Sequence, residues 1–202
     1  GNGDVVLFER DTARIRILRN QGGLMFDPLD SIAGNANQPG VVGDFNNDMN
    51  PDIVLPNVGL IFLPGAADGS FLAIRDDFAA PPFPTGLEIA NIDGVNGDDF
   101  VFSGSTGVTI GLNDGAGGVN MLPSVFSGSG PQSVRVFDFD ENGTLDVITA
   151  NRFSDDVGFL PGNGDGTLGA LEEFDTGTNE PQGLGLGDFN GDGITDIAVS
   201  NA

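Results

Sequence analysis

An all-β fold built from repeated four-stranded antiparallel units is predicted by three features of this 202-residue sequence. An acidic nine-residue stretch recurs four times. Each copy runs into an apolar β-type segment, and glycine and proline interrupt the chain too often for long helices. The copies begin at Asp44, Asn91, Asp138 and Asp188, so their first residues stand 47, 47 and 50 positions apart. A near-constant period of this length marks one supersecondary unit per copy.

Every period follows the same order. A short apolar strand precedes the acidic stretch, as at 132–137 and 182–187. A second strand starts at its last residue, at Asp52, Asp99, Asp146 and Asp196. A third follows, as at 59–63 and 107–112, and then a Gly/Asp/Asn turn at 65–69, 113–117 and 162–166. A weaker fourth strand lies near 71–74 and 171–174. Pro39, Pro84, Pro131 and Pro181 stand at the joints between units, where no ladder donor is required.

Four strands in about 48 residues is the size of a propeller blade. The chain is therefore read as one β-propeller segment, with approximate repeats 1–38, 39–85, 86–130, 131–181 and a partial 182–202. With strands lettered A to D and the acidic loop between A and B, the count is 17, from B of the first blade to B of the fifth. A segment of a larger propeller is expected, the alternatives being a closed four-bladed ring with a spare strand or assembly through complementary half-blades. Unpaired blade edges would favour self-association. Residues 1–4 read as the second half of a further acidic loop, so the chain is expected to open inside a repeat. No secretory signal is visible.

Oxygen-bearing side chains recur at loop positions 1, 3, 5 and 9, which is what a calcium ion of six to eight hard ligands requires. The first loop offers Asp44, Asn46, Asp48 and Asp52, with Asn50 at the backbone-carbonyl position. The third offers Asp138, Asp140, Asn142 and Asp146, with Thr144 giving its carbonyl, and the fourth Asp188, Asn190, Asp192 and Asp196, with Ile194. Glycine at position 6 (Gly143, Gly193) permits a left-handed turn, whereas Met49 occupies that position in the first loop. The second loop departs: Asn91 stands at position 1 and apolar Val95 at position 5, leaving Asp93 and Asp99 for a weaker fourth site. An EF-hand is excluded, because position 12 is Leu55, Phe102, Thr149 or Val199 within a strand rather than a bidentate Glu between helices. The turns at Asp68-Gly69 and Asp165-Gly166 read as hairpin turns first.

Composition narrows the chemistry. A net charge of −23 opposes binding to a phosphate backbone. No stretch approaches the roughly 20 apolar residues of a membrane-spanning helix, so no membrane insertion is expected. Cysteine, histidine, tyrosine, tryptophan and lysine are all absent. Disulfides, thiolate catalysis and histidine general bases are thereby removed, and Asp and Glu carry all side-chain acid–base chemistry. Arg10, Arg14, Arg16 and Arg19 cluster in one stretch and read as a solvated strand face.

The segments GDFNGDGITDIAVSNA and FDFDENGTLDVITANRFSDDVGFLPGNGDGTL closely resemble the FG-GAP/VCBS repeat of integrin α-subunit β-propellers and many secreted bacterial proteins. The resemblance covers essentially the whole chain, with loop, strand and Gly-Asp-Gly turn in order. It implies calcium bound between the first two strands of a blade. The expected function is accordingly a non-catalytic, calcium-binding propeller module of an extracellular, secreted or cell-surface protein that mediates adhesion or ligand binding, its protein or glycan ligand unspecified. Two alternatives stand beside it: the propeller domain of a polysaccharide lyase or hydrolase, and a structural spacer. For the enzyme, Arg14, Arg16, Arg135 or Arg152 would neutralise a uronate, but Glu172 and Glu173 fall on opposite faces of their strand and so do not cooperate. For a lectin, Phe153 beside Arg152 is the loop-placed aromatic platform.

Overall fold

The computed structural model describes residues 5–9, 14–22, 25–28, 32–33, 40–56, 60–68, 70–72, 75–78, 84–177 and 179–202. All regular structure among them is β. The first sheet contains β1 (Val5–Glu9), β2 (Arg14–Gly22), β3 (Met25–Pro28) and β4 (Ile32–Ala33), with β3 and β4 both paired to β2. Three complete antiparallel sheets follow. They are β5 to β8 (Val41–Gly43, Asp52–Pro56, Leu60–Leu63, Arg75–Phe78), β9 to β12 (Gly86–Ala90, Asp99–Gly104, Gly107–Asn113, Val119–Met121) and β13 to β16 (Pro131–Phe137, Asp146–Asn151, Asp156–Leu160, Glu172–Asp175). The last sheet pairs β17 (Pro181–Gly187) with β18 (Asp196–Asn201).

These are propeller blades, in strand order A-B-C-D in the three complete ones, and among the described residues they do not close into a ring. The described strands number 18 rather than the expected 17, because the outer strand of the first sheet is split into β3 and β4. The outer strand of the second blade is β8 at Arg75–Phe78, later than expected, while Phe71 makes only an isolated bridge to Gly65. Asp4, Arg10, Pro39, Gly59 and Gly69 lie outside the described residues.

Strands A of successive blades, β5, β9, β13 and β17, lie side by side along the propeller axis. In the second to fourth blades strands B and C are covered on both faces by neighbouring blades, so β6, β7, β10 and β14 are buried along their whole length. That sandwiching explains why they read as continuous apolar runs, the pattern of strands with two buried faces. Strand D of the fourth blade, β16, is exposed throughout.

The core lies between blades. Ile15, Ile17, Ile53 and Leu55 join the first blade to the second, and Phe45, Val54, Phe100 and Phe102 the second to the third. Val101, Ile110, Val134 and Val147 join the third to the fourth, and Ile148, Ala150 and Leu184 the fourth to the fifth. Each large apolar side chain so buried contributes about 1.5–3 kcal/mol. Register decides which residue meets which blade. Val134 pairs with Thr149 and Val136 with Val147 on the face toward the third blade, whereas Arg135 pairs with Ile148 on the other face, its guanidinium still reaching Glu88 of the third blade.

Loop position 2 acts as a plug between blades. Phe45 is 2% exposed, with its ring centroid 4.8 Å from that of Phe100 in the next blade. Ile92 is buried against the fourth blade, and Phe139 packs on the cluster shared with β18. Phe189, on the fifth blade, is 67% exposed.

Candidate metal centre

The acidic loops all join strand A to strand B, at one end of the blades: 44–52 between β5 and β6, 91–99 between β9 and β10, 138–146 between β13 and β14, and 188–196 between β17 and β18. Their backbones share one path. Positions 4 and 6 are left-handed in every copy: Asn47 (φ 57°) and Met49 (67°), Gly94 (75°) and Asn96 (58°), Glu141 (57°) and Gly143 (90°), Gly191 (81°) and Gly193 (87°). Position 6 was legible from its glycines. The left-handed position 4 was not, since Asn, Gly and Glu all occupy it.

This path folds the ligand-type side chains back onto the loop's own N–H groups. At position 1, Asp44 accepts from Met49 N (2.9 Å), Asp138 from Gly143 N (3.0 Å) and Asp188 from Gly193 N (2.9 Å). At position 3, Asn46, Asp93, Asp140 and Asn190 each accept from the N–H two residues on, at 2.8–3.1 Å. At position 5, Asp48, Asn142 and Asp192 accept from Asn50, Thr144 and Ile194 N, each at 2.8 Å. Val95 has no oxygen with which to continue that series, and Asn91 and Val95 are both exposed. The Thr144 hydroxyl is 2.9 Å from the Gly162 carbonyl oxygen and makes a short contact with Asn142 Oδ1. An oxygen that accepts a single N–H, such as that of Asp140, keeps a second lone pair for a cation, whereas Asn142 Oδ1 already meets both the N–H and the hydroxyl of Thr144.

Position 9 is different in kind. Asp52, Asp99 and Asp146 are completely buried. In each, Oδ2 accepts the N–H of position 2 (Phe45, Ile92 and Phe139, at 2.8–2.9 Å). Oδ1 accepts an N–H from just beyond strand C or at its end (Gly65, Asn113 and Gly162, at 2.7–2.9 Å). One carboxylate therefore ties the acidic loop to the far side of the blade. Asp196 makes the first bond, to Phe189 N at 2.9 Å, in an exposed setting. The sequence carried a signal for this role: position 9 is Asp in all four copies, even where position 5 is Val95.

Burial pushes the Asp52 and Asp99 carboxyls up, and their backbone N–H donors oppose that push. The negative charges of Asp48 and Asp44 raise Asp52 further. Asp188, fully exposed, is held down by the N–H groups of Gly193 and Gly191.

Asp138, Asp140 and Asp146 bring one carboxylate oxygen each to within 4.8 Å of one another, and among the described residues they are the one such group of three acids. Oxygens on opposite sides of a calcium ion, each 2.3–2.6 Å from it, stand about 4.6–5.2 Å apart, so these three fit around a single ion. Asp138 Oδ1 is also buried without a hydrogen-bond partner, an acceptor that a cation would satisfy. In the first and fourth loops position 3 is an amide, and Asn46 and Asn190 donate to Asp48 and Asp192 Oδ2 at 3.1 and 3.0 Å.

Residues 138–199 match the family model of the FG-GAP-like repeat. Residues 138–199 thus carry an FG-GAP-like repeat. The match holds the whole Asp138–Asp146 cluster together with the loop of Asp188. Two solved propellers are similar in fold. A lectin from Agrocybe aegerita, described for specific recognition of non-reducing terminal N-acetylglucosamine, superposes with a TM-score of 0.67 at 19% identity. The BBS1N chain of a complex with ARL6DN superposes with a TM-score of 0.61 at 14% identity. In each case 98% of this chain is covered, and it spans 57% of the other chain's length. No curated protein sequence matches it.

The remaining predicted features fall elsewhere. Asp68 Oδ1 accepts from Ser70 N and Asp165 Oδ1 from Thr167 N, both at 2.9 Å, as in side-chain-capped turns. Arg16 is exposed, and Arg19 donates to the Asp68 carbonyl at 3.4 Å. Phe153 is 71% exposed, with the Arg152 guanidinium 5.7 Å from its ring centroid and 2.8 Å from Glu180. Glu172 and Glu173 are both exposed on β16. No helix among the described residues is long and apolar enough to cross a membrane.

Proposed function

We propose that this chain is a non-catalytic, calcium-binding β-propeller module of an extracellular or cell-surface protein, mediating adhesion or ligand binding. Calcium in the acidic loops would stiffen the A–B end of each blade. The observation that carries the reading is the Asp138, Asp140 and Asp146 cluster with its orphaned Asp138 oxygen, inside an FG-GAP repeat. FG-GAP repeats often bind calcium, and the likeness to a lectin propeller favours a binding role over a catalytic one. The absence of histidine, cysteine, lysine and tyrosine from the sequence favours it too.

Carboxylates crowded without a cation repel one another, and an ion that binds only the native state stabilises it by mass action. At a hundredfold excess over its dissociation constant, each site adds about 2.7 kcal/mol. The test is thermal unfolding of chelator-treated protein in chelator, magnesium and calcium. A melting temperature that rises with calcium and little with magnesium supports the proposal. Equal melting temperatures in calcium and in chelator would end it.

A further inference from the structure

At the end of the blades opposite the acidic loops, a cavity of about 330 Å³ opens where strands A of three successive blades begin. Much of its polar lining comes from one repeat position, the residue directly after the joint proline: Thr85 after Pro84, Gln132 after Pro131 and Gln182 after Pro181. Ser133 and Arg135 complete the polar set, and Leu87 and Val134 supply apolar wall. This placement depends on the blades standing side by side, so no single repeat contains the site.

We infer that this cavity binds a neutral saccharide, one pyranose unit in size, through Gln132, Gln182, Thr85 and Arg135. The inference rests on the reading of the chain as a ligand-binding module and gives that module a site away from the acidic loops.

Charge selects a neutral ligand. The Arg135 guanidinium is compensated by Glu88 at 3.3 Å, so the site offers no net positive charge. The chain's net charge of −23 disfavours an anionic ligand further. Hydrogen-bonding capacity points to hydroxyl groups, which both donate and accept. The Gln132 amide gives one N–H to the Gly130 carbonyl at 3.3 Å, leaving a second N–H and its carbonyl oxygen to offer. The Thr85 hydroxyl donates to the Pro131 carbonyl at 2.5 Å, which fixes it as an acceptor toward a ligand and ties the third blade to the fourth. Arg135 is braced by its bond to the Val134 carbonyl at 2.7 Å and keeps donors beyond it. Volume selects a small ligand, since 330 Å³ lies at the lower end of the roughly 300–1,000 Å³ of small-molecule sites.

The test is calorimetric titration, with saturation-transfer NMR, of the full chain against methyl glycosides of glucose, galactose, mannose and N-acetylglucosamine. Glucuronate and galacturonate serve as charged counterparts, and each titration is run in calcium and in chelator. At least one neutral glycoside is expected to bind the wild type more tightly than its charged counterpart. Gln132→Ala and Gln182→Ala are each expected to weaken it at least tenfold. Gln182 is exposed, so its variant has no packing to lose. Glu88→Gln, which leaves Arg135 uncompensated, should shift preference toward the uronates. No neutral binding tighter than about 10 mM, uronates bound preferentially by the wild type, or Gln182→Ala binding unchanged would each overturn the inference. The melting temperature of the same samples in calcium separates the two failures. Stabilisation by calcium without sugar binding sinks the saccharide site alone, and no stabilisation sinks the calcium module itself.

Discussion

Replacing Asp146 by alanine should destabilise the chain even where no calcium is available. Its buried carboxylate accepts Phe139 N and Gly162 N, both at 2.8 Å, with a longer contact to Asp140 N at 3.4 Å. Alanine leaves two largely enclosed N–H groups without an acceptor. Each such orphan costs about 1–3 kcal/mol, so the substitution should cost about 2–6 kcal/mol. Asp196→Ala is the internal control. The same repeat position there makes one bond, to Phe189 N at 2.9 Å, in an exposed setting, and its loss should cost about 1 kcal/mol or less. Asp140→Ala separates metal from fold: its oxygen accepts Asn142 N in an exposed turn, so its cost in chelator should also stay near 1 kcal/mol. Urea unfolding in chelator, followed by circular dichroism, measures all three. Equal losses for Asp146→Ala and Asp196→Ala would refute the claim that position 9 pins the loop to the far side of the blade.

Three further outcomes follow from the geometry. Phe45→Ala should cost about 3–5 kcal/mol by opening a cavity between the second and third blades, while Phe189→Ala should stay within about 0.5 kcal/mol; urea midpoints compare them. Met49, 91% exposed at φ 67°, pays for a left-handed backbone, so Met49→Gly should raise stability by about 0.5–1 kcal/mol in the same assay. Burial raises Glu88 and Arg135 opposes the shift, with burial the larger effect. The native state then holds the Glu88 proton above the unfolded value. Its stabilising contribution is full below that value and fades as pH rises through the raised native one, so Glu88→Gln should flatten this part of the stability–pH curve.

Much of the fold was legible because each blade repeats the same local chemistry. The loop of Asp188 to Asp196 and its following strand could be read from spacing alone, and so could the left-handed glycines Gly143 and Gly193. What escaped the sequence depends on contacts between elements far apart in the chain. Asp52, Asp99 and Asp146 were read as ligands, but their bonds to Gly65, Asn113 and Gly162 form only once strand C has folded back beside strand B. The plugging role of Phe45 depends on Phe100, a residue of the next repeat. The cavity of Thr85, Gln132 and Gln182 needs three blades side by side before it exists. Periodicity announces the units, and their mutual packing creates the sites between them.

The most direct measurement is a count of calcium sites by titration calorimetry on chelator-treated protein, for the wild type and for Asp140→Ala. The account predicts three or four sites in the wild type, the weakest assigned to the Val95 loop, and one fewer in the variant. A variant that retains every site, or a wild type that binds none, would contradict it.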